Sequence, residues 1–112
     1  GCMVLNDTTD IVKFAWRTAL FYQNESCGKC TPCREGTRWM VQILERILSG
    51  HGREGDIDLL VQVADQIDGR SFCPLGDAAA WPVKGMVKVF RPEFEAYIAK
   101  AVPALDRVPA YA

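Results

Sequence analysis

Cys27-Gly28-Lys29-Cys30-Thr31-Pro32-Cys33 is the stretch that decides how this chain reads, because it closes one helical pattern, opens the next and gathers three thiols onto one tight turn. Cys73-Pro74 supplies a fourth thiol after an interval of 39 residues, positions 34–72. A C-x2-C-x2-C run with one distant cysteine suits a [4Fe-4S] cubane, which four thiolates can cage. Four-thiolate zinc sites more often use two separated C-x2-C pairs, and a second such pair is missing here. The spacing favours the cluster over zinc, with a disulfide framework or a set of reactive thiols as the remaining alternative.

Working outward, Thr31-Pro32 is a helix-start signal, with threonine as cap and proline at the first helical position. Cys33 then falls in a first helical turn, where unpaired N–H groups carry partial positive charge, favour thiolate over thiol and can donate hydrogen bonds to cluster sulfur. Met40, Ile43, Leu44, Ile47 and Leu48 give this helix its core face, and Gly50 can end it in a left-handed conformation. Upstream, a first helix begins after Asp7, with Thr8 or Thr9 as N-cap and Asp10 in the first turn. Ile11, Phe14, Ala15, Thr18, Ala19 and Tyr22 form its buried stripe, and it ends near Glu25. Downstream, Ile57, Leu60, Ala64 and Ile67 repeat with helical period and Gly69 closes a third helix just before Cys73. A fourth helical region runs from about Gly76 to Tyr97, interrupted near Pro82 and restarted at Pro92, where proline is acceptable as a first-turn residue. Short connections between amphipathic helices favour antiparallel neighbours. The expected fold is all-α: an antiparallel bundle of about four helices over residues 7–100, with the cysteine loop at one end. Residues 1–6 read as a short extended segment belonging to a preceding domain and residues 101–112 as a tail.

At 112 residues the chain is about one domain long, and 49% of it is apolar, enough for one modest core. A formal charge of -1 and a pI near 5.8 give no electrostatic reason to expect nucleic acid or an anionic membrane as partner. No uncharged apolar run approaches the length of a membrane span, and no secretory signal opens the sequence, so direct membrane insertion is not expected. Five cysteines, four of them clustered, read as metal ligands in a reducing compartment. Cys2 reads as a small apolar residue of the extended segment. That segment, Cys2-Met3-Val4-Leu5, follows a glycine rather than a methionine, which suggests a piece of something larger.

Gly50-His51-Gly52-Arg53-Glu54-Gly55 matches the dinucleotide fingerprint G-x-G-x-x-G, but the mechanism needs a strand before it and a helix N-terminus over the pyrophosphate. A helix precedes it here, so it reads as a flexible helix connection, with His51 solvated in it. The single histidine leaves no triad to assemble, and hydrolytic catalysis is excluded as a reading. Trp16, Trp39 and Trp81 read as core or interface anchors. Lys29 and Arg34 place positive charge beside the cysteines, where they either raise a cluster's reduction potential or simply point to water.

The run Glu25-Ser26-Cys27-Gly28-Lys29-Cys30-Thr31-Pro32-Cys33-Arg34-Glu35-Gly36 resembles the cluster-binding signature of the NADH-oxidising flavoprotein subunit of respiratory complex I. Phe72-Cys73-Pro74-Leu75-Gly76-Asp77, continuing through Trp81-Pro82-Val83, resembles a second segment of that family, and Phe90-Arg91-Pro92-Glu93-Phe94 its terminal helix. The resemblance covers roughly residues 1–100 in order. It implies that Cys27, Cys30, Cys33 and Cys73 bind the [4Fe-4S] cluster that follows the flavin, inside a C-terminal four-helix domain. It further implies FMN and NADH in the parent subunit but not on this chain, which alone should not oxidise NADH. The implied partners are the preceding flavin and NADH domain and the other iron–sulfur subunits of a peripheral arm. The implied place is the cytoplasmic side of a bacterial inner membrane, or the matrix side in mitochondria. Diaphorase subunits of NAD-dependent hydrogenases and formate dehydrogenases share the pattern. Two readings from other classes stand beside it, a zinc-stabilised structural or interaction module and a free-standing ferredoxin-like carrier.

Overall fold

The computed structural model describes residues 2–101. They form four helices, α1 (Ile11–Glu25), α2 (Thr31–Leu48), α3 (Asp56–Ile67) and α4 (Leu75–Ala99), with no strand among the described residues. The all-α bundle expected from the apolar periodicity is the fold observed. Helices α1 and α3 each pack on α2 and α4, and α2 touches α4 across the diagonal. Contacts between ends fix the directions. Ser26 at the end of α1 meets Cys33 at the start of α2, Gly36 near the start of α2 faces Ile67 at the end of α3, and Arg91 late in α4 pairs with Asp58 at the start of α3. Sequence neighbours are therefore antiparallel, as short connections require. In such an up-down arrangement the second and fourth helices start at the same end, and each starts beside cysteines.

The core follows most of the predicted stripes, although Phe14, Thr18 and Tyr22 of α1 and Leu48 of α2 are only half-buried. Ile57, Leu60, Ala64 and Ile67 of α3 are all buried, as are Met40, Ile43, Leu44 and Ile47 of α2 and Ile11, Ala15 and Ala19 of α1. Val12, Gly36, Thr37 and Val41 are buried as well, although the periodicity alone did not select them. Thr37 can be buried because its hydroxyl donates to the Cys33 carbonyl one turn earlier at 2.7 Å.

The helix boundaries correct the sequence reading in three places. The N-cap of α1 is Asp10, not Thr8 or Thr9: its carboxylate accepts from the amides of Val12 and Lys13 at 3.0 and 3.1 Å. Both threonine hydroxyls turn back to Asn6 Oδ1 instead. Helix α2 is capped by Cys30, with Thr31 already helical and Pro32 within the first turn. Helix α4 is not interrupted at Pro82. It runs through that residue and departs from helical geometry at Phe90, φ −115° and ψ 26°, just before Pro92. A proline inside a helix forfeits one backbone hydrogen bond, about 3 kcal/mol. The opposing gain here is the complete burial of Ala79, Ala80 and Val83, which hold that face against the bundle. Pro92 falls in the first turn of the restarted segment, as expected.

Residues 2–6 are irregular, and the tail expected over 101–112 lies, Ala101 apart, outside the described residues. The 49–55 connection is fastened rather than flexible. Arg46 donates twice to Asp56, at 2.9 and 2.6 Å, and the Arg53 amide donates to the same carboxylate at 2.8 Å. Asp56 is only 4% exposed. Gly52 sits where an added methyl would stand 2.6 Å from Ile98. The fingerprint-like glycines thus serve packing and turns, with Gly50 and Gly55 at positive φ.

At the far end from the cysteines, the Tyr97 hydroxyl of α4 donates to Asp10. Partial burial would raise the Asp10 carboxyl, but the bond from Tyr97, the amides of Lys13 and Val12 and the Lys13 charge outweigh it and hold the group below its ordinary 3.8. The bond to Asp10, partial burial and the Asp10 charge push Tyr97 up to about 12. The Asp10 contribution is complete above its ordinary pKa and is lost as pH falls through the lowered one. The Tyr97 contribution is complete below about 10 and lost as pH rises through about 12. Asp10→Ala is expected to lower unfolding free energy by about 2 kcal/mol at neutral pH. Urea titrations of both proteins should show the gap narrowing as pH falls below the ordinary carboxyl value of 3.8.

Candidate metal centre

The cysteine end is assembled by glycine. A methyl at Gly36 would stand 2.5 and 2.7 Å from Cγ1 and Cδ1 of Ile67, and one at Gly76 would stand 3.2 Å from Cγ2 of the same residue and 2.7 Å from the Ser71 hydroxyl. Ile67, 1% exposed, therefore fills the space left by two missing side chains, one on α2 and one on α4. Each glycine lies three positions after a cysteine, Cys33 or Cys73. Neither helix start is closed by a side-chain cap. Pro32 and Pro74 at these starts carry no N–H, so fewer amide donors are left there without an intrahelical partner.

Within the loop, Gly28 adopts φ +79°, a left-handed turn that a residue with a Cβ enters only with strain. Arg34 holds that turn: Nη1 donates to the Gly28 carbonyl at 2.7 Å, Nη2 to the Thr31 hydroxyl at 3.4 Å, and Nε pairs with Glu35 at 3.1 Å. Arg34 is exposed, as one of its two readings in the sequence had it, yet it also braces the loop, a role that the pattern did not reveal. Lys29 is exposed. The Ser26 hydroxyl lies 3.2 Å from Cys33 Sγ. The Phe72 amide donates to Cys30 Sγ at 3.3 Å, which ties the segment carrying Cys73 directly to the three-cysteine loop across the bundle end.

All five cysteines are free thiols. Cys33 is buried, Cys30 half-buried, and Cys27 and Cys73 exposed, while Cys2 lies exposed in the irregular N-terminal segment. Among the described residues no three Cys, His, Asp or Glu side chains converge as ligands of one metal ion. A cubane makes a different demand, since its thiolates bind separate irons. Four thiols on two linked segments, with glycine at the turns and uncapped helix starts, form a donor set that fits such a group.

Two tryptophans do not serve as core. Trp39 is 52% and Trp81 62% exposed, and only Trp16 packs on the core, with its indole donating to Glu45. The Trp81 indole donates to Asp68 at 2.9 Å, so the ring rides on the outer face of α4. Trp39 lines a groove of about 690 Å³ between α2 and α3, with Pro32, Leu59, Val63 and Arg70. The carboxylates of α3 also do more than face water, since Asp58 reaches Arg91 and Asp65 reaches Lys84, both on α4.

Residues 13–97 match the family described as the NADH-ubiquinone oxidoreductase-F iron-sulfur binding region. The chain belongs to this iron–sulfur-binding family. It is 52% identical over 93 residues to an NADH-quinone oxidoreductase subunit of Rhizobium meliloti, covering 83% of this chain and 21% of that protein. It is 48% identical over 98 residues to the mitochondrial NADH-ubiquinone oxidoreductase 51 kDa subunit of Neurospora crassa, covering 88% and 20%. Among solved structures it resembles an NAD+-reducing [NiFe]-hydrogenase in the air-oxidized state, with 33% identity and a TM-score of 0.80 over 96% of this chain and 18% of that one. The chain spans about a fifth of the length of the curated relatives it matches. No helix among the described residues is long and apolar enough to cross a membrane.

The iron–sulfur-binding region thus depends on a steric contact, and the contact is open to test. Gly36→Ala and Gly76→Ala are each expected to cost about 1–3 kcal/mol through overpacking. In an Ile67→Ala background the alanine at 36 should cost markedly less, a coupling that denaturant titrations of the double-mutant cycle measure directly.

Proposed function

We propose that Cys27, Cys30, Cys33 and Cys73 hold a [4Fe-4S] cluster, and that this chain is the electron-transfer domain of an NADH-oxidising flavoprotein subunit. The observation that carries the assignment is the Phe72 amide on Cys30 Sγ, because it draws the Cys73 segment to the other three thiols. Bound there, the cluster would supply one-electron transfer, accepting from reduced FMN of the parent subunit and donating along an iron–sulfur chain toward quinone.

The chain's own residues bind and position. Cys33, in the first turn of α2, offers a buried thiol at a helix start that has no side-chain cap. Arg34 fixes the Gly28 turn that sets Cys27 relative to Cys30. The half-buried Cys30 and buried Cys33 limit water on one side, while exposed Cys27 and Cys73 leave the other side open to a neighbouring domain. The FMN and NADH sites belong to the remainder of the parent subunit, and the chain alone should not oxidise NADH. Its partners are the flavin domain and further iron–sulfur subunits, placed peripherally on the cytoplasmic or matrix side of a membrane. The 33% identity to the hydrogenase chain favours an equivalent diaphorase role as the second reading of the parent assembly.

Anaerobic reconstitution with iron and sulfide, followed by metal analysis and electron paramagnetic resonance of the reduced protein, tests the assignment. About four irons and four sulfides with a spin-half signal are expected. One tightly held zinc with no iron uptake would instead make this a structural module. Cys73→Ala should lose the four-iron signal yet keep most of its helical circular dichroism, because Cys73 is exposed and lies outside the bundle's apolar core. Unaltered iron content and spectrum in that variant would remove Cys73 from the ligand set.

A further inference from the structure

We infer that Ser26 is a positioning residue that sets the reduction potential of the site through a hydrogen bond to the sulfur of Cys33. The inference rests on the cluster assignment above and adds to it a residue outside the ligand set.

Ser26 is held from both sides. Its backbone amide donates to the Tyr22 carbonyl at 3.0 Å, which makes it the C-cap of α1, and its backbone is extended at φ −64° and ψ 124°. Its hydroxyl oxygen lies 3.4 Å from the Gly28 amide and 3.2 Å from Cys33 Sγ. Between a serine and a free thiol either atom could donate. A metal-bound sulfur is a thiolate and has no proton, so the direction becomes fixed: the Gly28 N–H donates to Ser26 Oγ, and the Ser26 O–H donates to Cys33 Sγ. The chain thereby carries a short relay from a left-handed glycine turn to the one buried ligand sulfur.

Burial gives that bond its weight. Cys33 is 6% exposed, so water competes little for its sulfur, and a lone hydrogen bond in a low-dielectric surround is stronger than one in water. Hydrogen bonds to cluster sulfurs draw electron density from the metal and stabilise the more negative, reduced state, which raises the potential. The Phe72 amide does the same for Cys30, but a backbone donor is not removable by side-chain substitution. Ser26 is the donor that can be deleted cleanly.

The test uses the full chain, reconstituted anaerobically, with the midpoint potential read by titration followed by electron paramagnetic resonance. Ser26→Ala is expected to bind the same iron and sulfide per chain as the unaltered protein and to titrate at a lower potential. Ser26→Thr, which keeps the hydroxyl, is expected to return the potential toward the original. A fully loaded Ser26→Ala with unchanged potential overturns the inference. Loss of iron from Ser26→Ala with retention in Ser26→Thr also overturns it, since the hydroxyl would then hold the loop rather than tune the metal. Failure of the unaltered chain to take up iron is a separate result: it removes the cluster assignment itself, and this inference with it.

Discussion

The contact on which the rest of the structure depends is Ile67 pressed against the bare backbones of Gly36 and Gly76. One side chain at the end of α3 sets how closely α2 and α4 approach at their starts, and those starts carry the cysteines. Any Cβ at Gly36 would stand within 2.7 Å of an Ile67 carbon, far inside normal contact, so the approach is available only to glycine without local adjustment. The repeated spacing of cysteine and glycine three residues apart, Cys33 to Gly36 and Cys73 to Gly76, is thus a packing rule as well as a ligand pattern. It lets two segments far apart in sequence present thiols from the same end of a rigid bundle.

Much of this was legible beforehand for a physical reason: amphipathic periodicity, glycine stops and the cysteine spacing are local signals. Ile57, Leu60, Ala64 and Ile67 form the buried face of α3, and Gly50 and Gly69 take the positive φ expected of helix ends. The even-numbered position of the two helices that start at or just after cysteines was likewise enough, in an up-down bundle, to put those starts at one end. What stayed hidden was whatever depends on competition between neighbours. Thr8, Thr9 and Asp10 are all able caps, and the choice of Asp10 follows from Asn6 engaging both threonines and Tyr97 arriving from α4. Pro82 reads as a break because its local cost is plain in sequence, whereas the burial of Ala79, Ala80 and Val83 on the opposing side is not. The Arg34 brace and the Ser26 contact could not be read either, since side-chain direction in a loop is not periodic.

The tryptophans show the same limit from another side. A large aromatic is an anchor somewhere, but the sequence does not say whether the surface it anchors belongs to its own chain. Trp16 packs within the bundle, while Trp39 opens onto a groove and Trp81 is held at the surface through Asp68. The matched relatives are about four times as long as this chain, so exposure over residues 2–101 describes the domain by itself.

The distribution of negative groups over the four helix starts links fold to chemistry. At the far end, α1 begins on the Asp10 carboxylate and α3 on Asp56 and Asp58, which answer the partial positive charge of those N-termini. At the near end α2 has no acid in its first turn and no side-chain cap, and the one acid in the first turn of α4, Asp77, is turned to the Gly69 amide at 2.6 Å. Cys33 lies in the first turn of α2 and Cys73 just before Pro74, the N-cap of α4. The two helix starts at the cysteine end are thus left without a side-chain cap, while both starts at the far end carry acids.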